Sequence, residues 1–439
     1  MKNSPIQTDV TIIGGGLAGM ASAIHLAKAG LSVLCVETAI EESSAVGESL
    51  DWSAPQLLRN LGLSIDQLIS EGIATWKRHV VLRLGDGSTY QYVPGKWLGN
   101  SPWNVELRTL HVDRTRLKNA LTTILLQQGV RLMDDRVTTV DRRKKEIIAL
   151  TTREGAHIIS SFYVDATGFA TSLLPRLFHL RYDRYGPRKV ALWSYFDISE
   201  VPEGTTLYAD GQPCSYLDWV WEIPIQSHVI SVGYVASGGV IKAMRQEGKS
   251  VDEIYRDRLL QIPRFQPLLR TRQPVTAQVV SFQCGAYRDI CGPNWLVVGD
   301  AASMIDPMTS NGVTAALRDA EEASSLIRRS WRRGRFSRLA AALYSRRALE
   351  MARFFNCGIE KLIYTSPVRD AIGIHVAGQV YTIPAWLMNL FYSRMQPRGL
   401  ARTVLFCLVL QSLRLGASVL SWLCGRFSKA STTNVGFAS

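Results

Sequence analysis

The sequence has no Cys-x-x-Cys pair and no His/Cys cluster at metal-ligand spacing. Its seven cysteines form an odd, scattered set. That excludes a zinc module or a disulfide scaffold and suits a reducing compartment. Met1–Thr8 is too short and too polar for a secretion signal, so a cytoplasmic location is expected. No internal repeat appears, and low complexity is confined to the Ser/Thr-rich last residues. Acidic residues are scarce late in the chain: residues 321–439 hold 5 Asp/Glu against 17 Lys/Arg, which is +12 of the net +13. The basicity therefore belongs to a tail, and the rest is close to neutral. Such a tail suits an acidic carrier protein, an anionic membrane surface, nucleic acid, or solvated helix faces. Carrier or membrane contact is expected here, and nucleic-acid binding is not. Thr403–Cys424 is nearly long enough to cross a bilayer, but Gln411, Arg414, Ser418 and Ser421 recur three or four apart. A helix packed on the protein, or lying peripherally at the inner face of a membrane, is expected instead of a span.

What is present begins at once. Asp9–Ile13 is a short apolar run with β-branched residues, and it leads into Gly14-Gly15-Gly16-Leu17-Ala18-Gly19. An alanine-rich, helix-periodic stretch, Met20–Ala29, follows and stops at Gly30. Leu31–Val36 reads as a second buried strand ending at Glu37. Strand, glycine turn, helix, strand and acid stand in the order of a dinucleotide-binding βαβ unit. Gly14 suits the tight turn, Gly16 lets backbone approach a pyrophosphate, and Gly19 lets helix and strand pack closely. The helix N-terminus would face phosphate and Glu37 a ribose hydroxyl.

At 439 residues, two or three folding units are expected. Helices are predicted over Pro55–Leu61, over Ile65–Glu71 with Ser64 as cap, and over Val112–Gln127. Val80–Leu84 and Thr89–Val93 flank the turn signal Asp86-Gly87 and predict a hairpin. Between 176 and 284 the style changes to strands, Val190–Phe196, Trp219–Ile225 and Val229–Val235, with one helix at Ser250–Leu260. The fold class is α/β. A Rossmann-like dinucleotide-binding domain over 1–175 and 285–345 would carry an inserted, mainly β substrate domain over 176–284, with 78–105 added to the substrate side. Residues 346–439 would form a basic, apolar helical region.

Two further pieces agree with the first. Phe162–Val164 runs into Asp165-Ala166-Thr167-Gly168, and Trp295–Val298 runs into Gly299-Asp300-Ala301-Ala302, with Pro307 and Gly312 opening a helix. Asp300 can hold a ribityl or ribose hydroxyl. The N–H groups around Asn311-Gly312-Val313 can stabilise negative charge. Three converging pieces argue for FAD over a nicotinamide, for which the last two would be surplus.

These three fingerprints resemble those of the FAD-dependent family that contains aromatic hydroxylases, geranylgeranyl reductases and flavin-dependent halogenases. The likeness covers roughly residues 8–345. Within it, Trp219-Val220-Trp221-Glu222-Ile223-Pro224 matches the WxWxIP motif of the halogenase branch. Pro102-Trp103 is similar to that branch too. The resemblance implies a C4a-hydroperoxide formed from reduced flavin and O2, halide held near Ser310-Asn311-Gly312, and hypohalous acid passing Trp219 and Trp221 to Lys77. It implies that Leu17, Ala18, Glu48, Ser49, Arg114, Pro307 and Val313 join the glycines, Glu37, Gly299 and Asp300 around FAD, with no metal. The family pattern FxxPxxSxG is present in Pro307, Ser310 and Gly312, with Ile305 read in place of its Phe. Thr309 stands where tryptophan halogenases carry a catalytic glutamate, so a phenol- or pyrrole-type substrate, free or on an acidic carrier, is expected over free tryptophan. No second nucleotide fingerprint appears, so a separate flavin reductase, or transient NAD(P)H, would supply electrons. The same resemblance leaves open aromatic hydroxylation and prenyl double-bond reduction.

Overall fold

A computed structural model describes residues 4–38, 47–93, 109–209, 215–271, 275–365, 367–395 and 399–433. The loop 39–46 and Pro102-Trp103 lie outside these residues. The chain folds around two seven-stranded sheets.

The first sheet takes its centre from strands apolar on both faces, as a covered parallel sheet requires. Its order is Arg131–Asp134, Val33–Glu37, Ile6–Ile13, His157–Asp165, Glu146–Thr152 and Val137–Arg143, with Trp295–Val297 also paired to His157–Asp165. The inner pairings are parallel, Ile13 opposite Val36 and Asp165, and Asp165 opposite Val297. The three fingerprints thus end side by side at one sheet edge, the usual place for a ligand in such sheets. Val10, Ile12, Leu34, Cys35, Phe162 and Val164 are buried in one core with residues of helices Leu17–Lys28 and Gly312–Ser330.

The second sheet runs Gln278–Phe282, Lys189–Asp197, Val229–Ser237, Trp219–Gln226, Thr205–Ala209, Val80–Leu84 and Thr89–Tyr92. Its side-chain alternation separates two cores. Trp219, Trp221 and Ile223 face the C-terminal helices, while Val220 faces the other way. Trp221 lies across Gly233 of the neighbouring strand, where a Cβ would stand 2.1 Å from the ring.

Two expectations are corrected. The helix predicted from Val112 begins at Arg114. Thr109–Val112 is a strand paired with Ala74–Lys77, and the Asp113 side chain caps the helix by accepting from the Arg116 amide. Residues 176–284 carry helices Gly238–Gln246 and Gln266–Thr271 besides Val251–Leu260. Paired glycines and a nearby proline hid them, although Ser237 caps the first.

Helices Arg338–Ile359, Ile374–Met395 and Leu400–Thr433 close the molecule, with a π-helical turn at Glu360–Tyr364.

Candidate active site

Where the three fingerprints meet, the backbone is packed to the limit. Gly14 lies at φ +103°, and a Cβ there would stand 2.5 Å from the Ala166 carbonyl oxygen. One on Gly19 would stand 2.0 Å from the Gly14 oxygen, and one on Gly299 2.7 Å from the Ala18 Cβ. Gly16 and Gly312 instead face open space. These two open glycines sit at the starts of helices Leu17–Lys28 and Gly312–Ser330. Neither helix has a side-chain cap or an acid in its first turn. Two sets of unclaimed N–H groups with their positive dipole ends therefore face one cavity.

That cavity measures about 560 Å³. Gly16, Leu17 and Ala18 line one end, Asp300, Pro307, Gly312 and Val313 another, and Trp219 and Trp221 the wall toward the second sheet. Glu48, Ser49 and Arg114 also line it. Glu48 accepts from the Tyr195 hydroxyl at 3.1 Å through Oε1, while its Oε2 is buried with no hydrogen-bond donor among the described residues. Burial raises the Glu48 pKa, with Arg114 pulling it back. Burial raises Asp300 likewise, again opposed by Arg114, although the carboxylate opens into the cavity itself. Arg114 donates to the Gly47 carbonyl at 3.2 Å and stands between both acids.

Gly14, Gly19, Gly299, Glu37 and Asn311 sit behind this lining. The Glu37 carboxylate accepts from the Gly15 amide at the mouth of the glycine turn. The Asn311 side chain turns into the protein, accepting from Asn389 at 2.7 Å and donating to Thr309 at 2.7 Å, so only its backbone can serve the cavity. Asp165 is turned inward and holds the amides of Thr167 and Leu174 at 3.0 and 2.6 Å. Counted back three residues from Pro307, the Phe of FxxPxxSxG falls on Met304 and not on Ile305; both line the cavity. An extended anionic dinucleotide fits this construction, with open glycines at two helix starts, acids on the walls and one buried carboxylate oxygen awaiting a donor.

A second, smaller cavity of about 90 Å³ adjoins the first. The two share Thr205, Leu207, Trp219, Met308 and Ser310 as walls. Lys77 lines only the small one. It is 3% exposed and donates to the Leu50 carbonyl at 3.1 Å and to Ser310 Oγ at 3.2 Å. Desolvation lowers its pKa to about 8, against a smaller opposing pull from Asp51. Ser310 adopts φ +61°, rare for a residue with a side chain, which aims its hydroxyl at the partition.

Ser310 in turn donates to Ser49 Oγ at 3.0 Å. Ser49 shares a 2.9 Å hydrogen bond with Thr205, and Thr205 another of 2.9 Å with His111 Nε2. His111 is fully buried, and desolvation holds it neutral, well below the usual histidine pKa. Sequence reasoning missed Thr205 and His111. The available signal was a histidine on the short strand just ahead of Arg114. It also missed Tyr364, whose hydroxyl accepts from Trp219 Nε1 at 2.9 Å and donates to Asp306 at 3.0 Å. Lys189, buried, reaches Asp306 at 2.9 Å and Glu360 at 3.3 Å and completes that group.

The glycine turn, the parallel sheet and the acid-walled cavity define an FAD-dependent oxidoreductase, and the FAD-dependent oxidoreductase family model matches residues 9–90. The tryptophan halogenase model matches residues 99–355, and the chain belongs to that family of flavin-dependent halogenases, with FAD as cofactor. It is 27% identical over 335 residues to a tryptophan 2-halogenase of Chondromyces crocatus, covering 74% of this chain and 62% of that one. It is 26% identical over 367 residues to a 1H-pyrrole-2-carbonyl-(peptidyl-carrier protein) chlorinase of Pseudomonas fluorescens, covering 76% and 79%. The fold matches a flavin-dependent brominase with a TM-score of 0.73 at 20% identity, over 92% of this chain and 98% of that one. A flavin-dependent halogenase structure matches at 0.68 and 26% identity, over 80% and 64%.

Proposed function

We propose that this protein halogenates a small electron-rich aromatic ring, of phenol or pyrrole type, in the smaller cavity. Bound reduced FAD supplies, with O2, the oxidising equivalent that converts halide to hypohalous acid. Halide would rest by the uncapped N-terminus at Gly312, where N–H groups and the helix dipole favour an anion. The observation that carries the reading is Lys77: an almost fully buried lysine at the partition between two cavities, hydrogen-bonded to Ser310, one of the five residues both cavities share. As an ammonium it can hold hypohalous acid by a hydrogen bond. As the neutral amine that desolvation favours, it can take the halogen from hypohalous acid, its nitrogen giving up one proton to the departing hydroxide so that water leaves. Gly14, Gly16, Gly19, Glu37, Glu48, Ser49, Arg114 and Asp300 would hold the cofactor. The smaller cavity would hold the ring, and Trp219 and Trp221 would screen it from the flavin.

Thr309 supplies no carboxylate to orient an indole, which favours phenol or pyrrole over free tryptophan. The chlorinase relative is named for a carrier-bound pyrrole, so a carrier-bound ring is among the substrates this reading admits. A separate reductase would provide reduced flavin. The test supplies reduced FAD, O2 and bromide or chloride with phenols, pyrroles and indoles, free and carrier-bound. Halide-dependent product is expected, and Lys77→Ala should keep oxidising reduced flavin while losing that product at least a hundredfold. Oxygenated product formed equally without halide would replace this reading by hydroxylation.

A further inference from the structure

Helix Leu400–Thr433 has two unlike faces. Thr403, Phe406, Cys407 and Leu410 are buried against the protein. Arg347 donates to Thr403 at 3.0 Å, and Lys361 to Ser418 at 2.6 Å, so the helix is tied to the protein at Thr403 and again about four turns on at Ser418. The opposite face exposes Leu400, Val404, Leu408, Leu415, Val419 and Trp422, the first five being aliphatic and Leu415 65% exposed. Their spacing of three, four or seven residues keeps them on one stripe. An apolar stripe of this length on a soluble surface marks a contact. Leu400–Arg426 meets the length and composition of a membrane span. Crossing a bilayer would strip its inner face from the protein, so the helix can only lie along an interface.

Charge says what lies there. From residue 371 to the end the sequence has no Asp or Glu and six Lys/Arg. Leu415 and Ser418 also border an open groove of about 780 Å³ lined by Arg181, Arg184, Arg353, Lys361 and Arg414. Asp183 and Glu350 neutralise part of this set, and Arg184 and Arg181 stay at the surface. A second copy of the chain is a poor occupant. The stretch is as basic in one copy as in the other and carries no acid, so a two-fold pairing sets positive charge against positive charge.

We infer that this face docks on an anionic lipid surface, with the helix lying in the headgroup region and the arginine groove taking lipid phosphates. The inference is independent of the halogenation reading. The FAD-loaded full chain is floated with phosphatidylglycerol vesicles and with phosphatidylcholine vesicles. Binding to the anionic vesicles at least tenfold tighter is expected, weakening with salt, with Trp422 fluorescence shifting to the blue. Leu408→Glu with Leu415→Glu should abolish binding without changing flavin content. Arg181→Glu with Arg184→Glu should remove the anionic preference. Absence of binding to either vesicle by the folded wild type would overturn the inference. So would a wild-type dimer that the Leu408→Glu, Leu415→Glu variant turns into monomer, or an acidic carrier protein that binds this face while vesicles do not.

Discussion

At the scale of single residues, Lys77 concentrates the chemistry and its cost. A lysine is seldom buried unless paired, and Lys77 meets a carbonyl, a hydroxyl and, 5.6 Å away, the face of the Trp52 ring. Its folded pKa, about 8, lies below the unfolded value near 10.5. Between these values the unfolded chain binds the extra proton, so this residue makes stability rise with pH across roughly pH 8–10 and penalises the fold below that window. Lys77→Met should remove that slope: the variant gains on wild type at pH 7 and loses the advantage by about pH 10. Denaturant midpoints at several pH values check this. If the difference between the two proteins does not change with pH, Lys77 is hydrated and not desolvated. The same titration should appear in single-turnover halogenation, whose rate rises through about pH 8 if the neutral amine takes the halogen.

At the scale of elements, the loop Asp306–Asn311 carries Ser310 between the cavities, and its rigidity comes from far along the chain. Burial alone would lower the Lys189 pKa, but Asp306, with Tyr364 and Glu360, outweighs it and holds the ammonium charged. Tyr364 then links Asp306 to Trp219, so the loop, the Trp219 strand and the π-helical turn move as one. Lys189→Met strands two carboxylates in the interior and should cost about 3–5 kcal/mol in an unfolding titration. Tyr364→Phe is milder, about 1–3 kcal/mol for an indole N–H left without its acceptor. It should raise the share of reduced flavin oxidised without halogenated product, a ratio that mere destabilisation would leave alone. An unchanged ratio would confine Tyr364 to folding. The Trp219 strand was legible because period-two alternation and a motif coincide within six residues. The clamp behind it was not: Lys189, Asp306 and Glu360 lie in three distant segments, and no local period marks a buried ion pair.

At the scale of the whole molecule, the cofactor half was readable because each fingerprint is a short strand, a tight turn and a helix start, all local signals. The C-terminal cover was readable only as helix. The polar recurrence Gln411, Arg414 and Ser418 lies half-buried while leucines face outward, so which side packs inward is set by partners elsewhere in the chain, such as Glu350 and Lys361. That cover sets the size of the smaller cavity. About 90 Å³ is less than the roughly 150 Å³ of an engineered cavity that takes up benzene, so an aromatic ring enters only if a wall gives. The wall is helix Ile374–Met395, whose Ile374, Gly378, Tyr381 and Trp386 line the cavity and whose Pro384 interrupts the backbone ladder. Trp386 packs edge-on against Trp52 at 5.7 Å, and a smaller residue there opens the same space permanently. In competition between one-ring and two-ring phenols, Trp386→Ala should shift the ratio of kcat/KM toward the larger substrate by at least tenfold, with FAD content unchanged. Were the ratio to stay put, the ring would bind elsewhere, and the helix could not be the element that selects it.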